Sequence, residues 1–387
     1  MIKSGLYKIL HGRPVWRRRW QPLNIIEISS ARLLANFNLI QDQHKDFGVM
    51  PVLKANAYGH GLVEVATILN AANCRFLVVD AYFEAAQILA YTKHPILILG
   101  PVRLENLKLI NTKRFSFVAQ DIAALEALAK LNKPLKIHLE LNTGMNRLGL
   151  DVSELGQYLK KLKKYPKLKL EGVMTHLADA DNPRDNSFTN SQTKLFDAQV
   201  ANILKAGFKP EIIHVANSAG SAKIKSKYAN GLRLGISLYG INPLEPSDKS
   251  YQKLAALAPA LELKSTIIKV VNLKAGDTVS YGRTFIARKP MRIGVLPLGY
   301  YEGLPRALSN RGCVTFGGET LPIVGRVCMN HTMIDLKKSK LEVGASVTVI
   351  SADKSSPNSV QSIANNHDLF SYSLLTGLAS SVRREIV

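Results

Sequence analysis

The stretch VMPVLKANAYGHGLVEVATILNAA, residues 49–72, holds an apolar β-rich run, a lysine, a turn of Asn, Tyr, His and Gly, and then apolar residues at helical spacing. A strand followed at once by a helix is one βα unit. Lys54 stands where the strand ends, a place with little structural reason for an ammonium. The unit recurs: RFLVVD (75–80) precedes YFEAAQILAY, PILILG (95–100) precedes LENLKLIN, and FSFVA (115–119) precedes DIAALEALAKL. LKIHLEL (135–141), LKLEGVMTH (168–176), IIHVA (212–216) and LRLGISLYG (232–240) complete the series. Runs apolar nearly throughout are buried on both faces, hence parallel. Eight such units predict an α/β fold, a (β/α)8 TIM barrel over residues 24–257, with a doubly wound open sheet as the alternative.

Beyond residue 257 the rhythm changes. ALELKSTIIKVVNL, GDTVSYGRTFIA, MRIGVLPLG, CVTFGG, TLPIVGRVCM, TMIDL and ASVTVIS are short runs joined by Gly, Asp and Asn turns. They predict a mostly antiparallel β domain over 258–387, ending in a helical segment near FSYSLLTGLASSVRR. Residues 1–23 form a basic N-terminal extension in which Arg13, Arg17, Arg18 and Arg19 cluster around two tryptophans.

With 387 residues, 46% of them hydrophobic, the chain can build both cores. A formal charge of +22 raises nucleic acid as a partner, but most lysines scatter along polar helix faces, as in LKKLKKYPKLKLEG. Nucleic acid is therefore not the expected partner, and a basic surface suits small anions equally well. No apolar run reaches the length of a membrane span, and the first residues lack the apolar core of a secretory signal. Three widely spaced cysteines (Cys74, Cys313, Cys328) show no metal-ligand spacing. They predict a reducing cytoplasm and no metal site.

Barrel enzymes carry their chemistry at the carboxyl ends of the strands. There the sequence places Lys54, Arg147 after the fifth strand, His176 ending the sixth, Asn217 and Ser218 after the seventh, and Arg233 and Gly235 in the eighth. The small residues around Ser218 and Gly235 leave backbone N–H groups open to a phosphate. A lysine, a phosphate cradle and two arginines on one rim suggest pyridoxal 5'-phosphate, because a desolvated lysine is a nucleophile that forms a Schiff base with an aldehyde cofactor.

VLKANAYGHG resembles the cofactor-lysine motif of the bacterial alanine racemases, a family of fold-type III pyridoxal-phosphate enzymes. LNTGMNRLG, MTHLADAD, HVANSAG, RLGISLYGINP, VSYGRTF, LPLGYYEGLPR and VGRVCMNHTMID continue the likeness in order over roughly residues 24–385. The resemblance implies that Lys54 tethers the cofactor, and that Tyr58, Tyr372, Ser218, Gly235 and Ile236 hold its phosphate. It implies that Arg147 faces the phenolic oxygen and the substrate, that His176 packs along the ring, and that Arg233 meets the pyridine nitrogen. Tyr281 becomes the second catalytic group, Met329 binds the substrate carboxylate through its N–H, and Tyr300 lines the entry. The family's head-to-tail homodimers would put Tyr281, Tyr300 and Met329 at the partner's barrel.

Racemisation removes a proton from one face of a carbon and returns one to the other, which suits a Lys54/Tyr281 pair. Tyrosine, with an ordinary pKa near 10, needs cationic help to act as a base. Arginine at the ring nitrogen, unlike a carboxylate, cannot accept its proton, so the ring stays a weaker electron sink. The expected function is interconversion of L- and D-alanine, supplying D-alanine for peptidoglycan. A racemase of broader specificity (Ser, Lys, Arg), a decarboxylase of similar build and a non-enzymatic cofactor-binding protein are the alternatives. Two positions depart from the family pattern. Glu140 stands seven residues before Arg147, where many relatives carry a carbamate-modified lysine; either it supplies the anion directly, or it points elsewhere and chloride or water fills the gap. Asn330 in CMN replaces an aspartate.

Overall fold

The computed structural model describes residues 21–107 and 112–387. The Arg13–Arg19 cluster of the basic extension lies outside the described residues. A first strand, β1 (Asn24–Ile28), is followed by parallel strands β2 (Gly48–Pro51), β3 (Leu77–Val79), β4 (Ile96–Ile98), β5 (Phe115–Ala119), β6 (Leu135–Asn142), β7 (Leu168–Met174), β8 (Ile212–His214) and β9 (Gly231–Leu234). Around the sheet the order is β2-β9-β8-β7-β6-β5-β4-β3, and a Val52–Val78 bridge joins its two ends. This is the expected eight-stranded barrel rather than an open sheet.

Successive side chains on a strand alternate between faces. Val49, Leu77, Val79, Ile96 and Ile98 point outward into the main core. Met50, Val78, Leu97, Val118, Met174 and Ile212 point inward and fill the barrel. On β5 to β9 the inward series is broken by polar residues, Ser116, His138, Glu140, His214 and Arg233, all buried. The register of β6 against β7 pairs Ile137 with Leu170 and His138 with Gly172, leaving Glu171 as a bulged residue opposite none.

The second domain holds a six-stranded sheet. Its order is Glu319–Pro322, Cys313–Phe316, Ser346–Ile350, Leu261–Thr266, β1, Arg383–Ile386. A three-stranded antiparallel sheet joins Lys269–Leu273, Met291–Leu296 and Thr332–Asp335. Three local expectations are corrected, and one element is added. β1, counted with the barrel, pairs antiparallel with Leu261–Thr266 and parallel with Arg383–Ile386. The run after Leu234 is not strand but a 3-10 turn, Ile236–Tyr239, so Gly235 lies just past the eighth barrel strand. FSYSLLTGLASSVRR holds helix Ser371–Thr376 and then the start of a strand. A helix at Val360–His367 was not expected.

Candidate active site

The Val52 N–H donates to the Leu234 carbonyl (2.9 Å) and the Leu53 N–H to that of Val78 (2.7 Å), carrying the chain from β2 to Lys54 on the barrel rim. Four non-glycine residues follow at φ of 55°, 55°, 53° and 51°: Ala55, Asn56, Ala57 and Tyr58. A left-handed turn costs L-residues about 1–2 kcal/mol each, so it persists only where neighbours over-determine it. The buried Glu84 carboxylate accepts from the N–H groups of Ala55 (2.8 Å), Asp80 (2.9 Å) and Ala81 (3.1 Å). Asn56 Oδ1 accepts from the Leu62 N–H (2.9 Å). The buried Arg384, from the far end of the chain, donates Nε (3.2 Å) and Nη2 (2.9 Å) to the Gly59 carbonyl.

The turn brings Tyr58 against Tyr239 and Tyr372, with ring centroids 5.1 and 6.1 Å away. Burial pushes the Tyr58 hydroxyl well above its ordinary range, and burial with Asp181 pushes Tyr372 up to about 12. Both remain protonated donors at neutral pH. Tyr58 Oη faces Gly235, where a Cβ would lie 2.8 Å from it and 3.5 Å from Ser218 Oγ. Only glycine leaves that concavity open. Ser218 Oγ accepts from the N–H groups of Gly235 (3.0 Å) and Ser237 (3.2 Å), while the buried Ser237 Oγ has no hydrogen-bond partner among the described residues. Ile236 lies in the same turn. Converging hydroxyls and an orphaned polar atom fit an anion of phosphate type.

Arg233, 3% exposed, donates Nη1 to His214 Nδ1 (2.9 Å) and the His214 carbonyl (3.1 Å). Its Nη2 donates to the carbonyls of Thr175 (2.7 Å) and Val215 (3.3 Å) and to His176 Nδ1 (3.3 Å). Burial pulls its pKa down to about 10, so it stays a cation at neutral pH. His176 is held down at about 3 by burial and then by the charges of Arg233, Arg147 and Lys54, and is a neutral ring. Lys54, half-buried, and Arg147, exposed on the loop after β6, thus both bear electrostatically on the same imidazole. Glu140 is buried near both arginines, and its field couples more strongly to Arg233 than to Arg147.

A second group stands apart. Tyr281, Tyr300 and Met329 line a cavity of about 510 Å³ with Arg306, Arg326 and Cys328, and no barrel residue lines it. Tyr281 is 73% exposed and Met329 54%. Ser280, at φ 67°, presents Tyr281 outward and donates its hydroxyl to the Arg326 carbonyl (2.9 Å). Asn330 Nδ2 donates to Glu302 Oε1 (2.8 Å), so a carboxylate stands beside CMN although aspartate is absent from it. One chain thus gathers Lys54, Tyr58, Arg147, His176, Ser218, Arg233, Gly235, Ile236 and Tyr372 on the barrel rim and displays Tyr281, Tyr300 and Met329 elsewhere. The described residues hold no cluster suited to a metal ion.

Sequence reasoning missed Glu84, Arg384 and Tyr239, whose hydroxyl donates to the Val52 carbonyl at 2.8 Å. Glu84 had a signal: it sits three residues into helix Tyr82–Ile88, the spacing of a carboxylate that caps its own helix. Arg384 had none.

The family model described as alanine racemase, N-terminal domain, matches residues 28–243, and that described as alanine racemase, C-terminal domain, matches 260–386. The alanine racemase of Staphylococcus epidermidis is 33% identical over 366 residues, covering 93% of each chain. The solved alanine racemase from Bacillus anthracis with bound L-Ala-P superposes with a TM-score of 0.85 at 29% identity, over 95% of this chain and 96% of that one. The Bartonella henselae enzyme, solved with covalently bound pyridoxal phosphate, superposes with a TM-score of 0.81 at 25% identity, over 95% of this chain and all of the other. The same barrel and β domain, matched along nearly the whole chain, place this isomerase in the alanine racemase family.

Proposed function

We propose that this chain racemises alanine with pyridoxal 5'-phosphate held on the barrel rim, using Lys54 and a Tyr281 contributed by a second copy of the chain. The observation that carries the reading is the convergence of Lys54, the Tyr58/Ser218/Gly235 concavity and the Arg233 guanidinium on one rim. Lys54 would hold the cofactor's aldehyde carbon. Tyr58, Tyr372, Ser218, Gly235 and Ile236 would hold its phosphate, and Arg233, whose hydrogen bonds among the described residues run through Nη1 and Nη2, would face the ring nitrogen with Nε. Bound there, the cofactor supplies an electron-withdrawing ring that acidifies the substrate's α-proton.

The residues do the rest. Lys54 Nζ exchanges a proton on one face of the α-carbon and Tyr281 Oη on the other. His176, neutral and fixed by Arg233, packs along the ring. Arg147, with Glu140 as its nearby carboxylate, binds the substrate side, Met329 offers its N–H to the substrate carboxylate, and Tyr300 narrows the entry. The exposure of Tyr281, Tyr300 and Met329 is what a site completed by a partner needs, and a head-to-tail homodimer supplies it. Residues 24–257, apart from β1 in the second sheet, and 258–387 then divide the labour: the barrel, with Tyr372, binds the cofactor, and the Tyr281/Tyr300/Met329 face of the β domain serves the neighbouring barrel. The product serves cytoplasmic D-alanine supply for peptidoglycan.

Purified protein should show a visible absorption band, borohydride should fix a pyridoxyl group on Lys54, and L-alanine should yield D-alanine faster than serine, lysine or arginine yield their enantiomers. A colourless protein without adduct refutes cofactor attachment. A preference for another amino acid refutes the substrate.

A further inference from the structure

The barrel interior holds four buried polar side chains in series, three of which the proposed reaction does not touch. Arg233 Nη1 lies 2.9 Å from His214 Nδ1, His214 Nε2 lies 2.8 Å from His138 Nδ1, and His138 Nε2 lies 3.4 Å from Glu171 Oε2. Ser116 Oγ donates to the same Glu171 oxygen, and Lys136 Nζ pairs with Oε1 at 2.8 Å. His138 and His214 are fully buried and Glu171 nearly so.

The donor pattern has one solution. A guanidinium only donates, so His214 Nδ1 accepts and the ring carries its proton on Nε2. That proton faces His138 Nδ1, which must therefore accept, leaving the His138 proton on Nε2 and aimed at the carboxylate. The chain runs in a single direction from a cation to an anion through two neutral imidazoles. Protonating either ring would set N–H against N–H. Burial, opposed by Glu171 and reinforced by Arg233 and Arg75, lowers His138; burial, Arg233 and His138 hold His214 well below its ordinary value. Burial alone would raise Glu171, but hydrogen bonds from His138, Lys136 and Ser116 outweigh it and hold the carboxyl at about 2. Glu140 and Arg147 bear on Arg233 from the rim.

Two local features make room for the series. The bulge inserts Glu171 between paired residues and turns its carboxylate into the barrel. At Gly172 a Cβ would stand 2.4 Å from His138 Nδ1, so any side chain there would displace the ring.

We propose that Glu171, remote from the rim, is a positioning residue for racemisation: through His138 and His214 it fixes both tautomers and so holds the Arg233 guanidinium in one orientation. This rests on the reading that Arg233 faces the reacting ring. The test is histidine side-chain NMR on ¹⁵N-labelled protein, with His138 and His214 assigned by single His→Gln variants, together with steady-state kinetics. The native protein at neutral pH should show both rings as Nε2–H tautomers. Glu171→Leu should shift or remove the His138 Nε2–H signal and lower kcat on the order of tenfold with KM little changed, the loss of one positioning hydrogen bond. Glu171→Gln, which still accepts from His138, should keep both tautomers and recover most of that turnover. A native spectrum with an Nδ1–H or doubly protonated ring at either position overturns the proposal without any variant. Arg233→Lys separates the two readings. If it lowers kcat while Glu171→Leu does not, the relay is wrong and the role of Arg233 stands; if neither changes kcat, the role of Arg233 falls and the proposal with it.

Discussion

Arg233 spends its Nη hydrogens on backbone carbonyls and two neutral imidazoles, and no carboxylate among the described residues forms a salt bridge with it. A cation so held is a fixed donor that cannot take up a proton at neutral pH. Glu140 is a carboxylate whose charge bears on it: burial pushes the Glu140 carboxyl up, while Arg233 and then Arg147 pull it down. Glu140→Gln keeps the shape and removes the charge, and turnover should fall by about tenfold, the scale of one charged hydrogen bond. Unchanged steady-state kinetics would remove Glu140 from the site. At Tyr281, replacement by Phe deletes only the hydroxyl. Racemisation should drop roughly 10²- to 10⁴-fold, the range for a general acid–base group, while the visible absorption band persists. Full turnover in both directions would contradict the two-base assignment.

The left-handed turn at 55–58 is the element on which the site depends, and its supports lie in two other places: Glu84 on the next βα unit and Arg384 on the last strand. Arg384 also donates to the carbonyls of Leu378, Ala379 and Val382. Arg384→Met would leave buried carbonyls unpaired and let the turn relax. Stability should fall by about 3 kcal/mol, and the affinity for pyridoxal phosphate should fall with it. Thermal melting and cofactor titration check this, and an unchanged midpoint with unchanged affinity would mean the turn stands without Arg384. The barrel strands were legible because most are runs apolar nearly throughout, and the rim residues because the strands' ends locate them. β1 was misassigned because its partners lie more than 200 residues away, a pairing that no local pattern records. The 3-10 turn at Ile236–Tyr239 is as apolar as the strand before it. The interior relay went unread because an isolated polar residue in an apolar run, such as His138 or Ser116, looks like a satisfied core group until its inward neighbours are known.

Across the whole molecule, neutral buried histidines set the acid limit. Burial holds His60 at about 4, and His176 sits at about 3, against about 6.5 in an unfolded chain. The unfolded state therefore binds protons first, so this contribution to stability is complete above pH 6.5 and is lost as pH falls from 6.5 toward about 4 for His60 and about 3 for His176. His60 alone contributes about 3 kcal/mol of that loss. Glu171 acts in a lower window: its depressed carboxyl stabilises the fold above about pH 4.3, and that contribution disappears as pH falls toward 2. Melting temperatures should decline steadily from pH 7 to pH 4, and a flat profile would contradict neutral buried rings. The same scale carries the central claim, that one chain's Lys54 works with another chain's Tyr281. Lys54→Ala and Tyr281→Ala proteins, each inactive alone, are mixed, unfolded, refolded together and assayed for racemisation. A mixed dimer holds one intact site of two, and random pairing makes half the dimers mixed, so activity should return to about a quarter of the native value. No recovery, with mixed dimers demonstrably formed, would show that the two residues do not meet across chains.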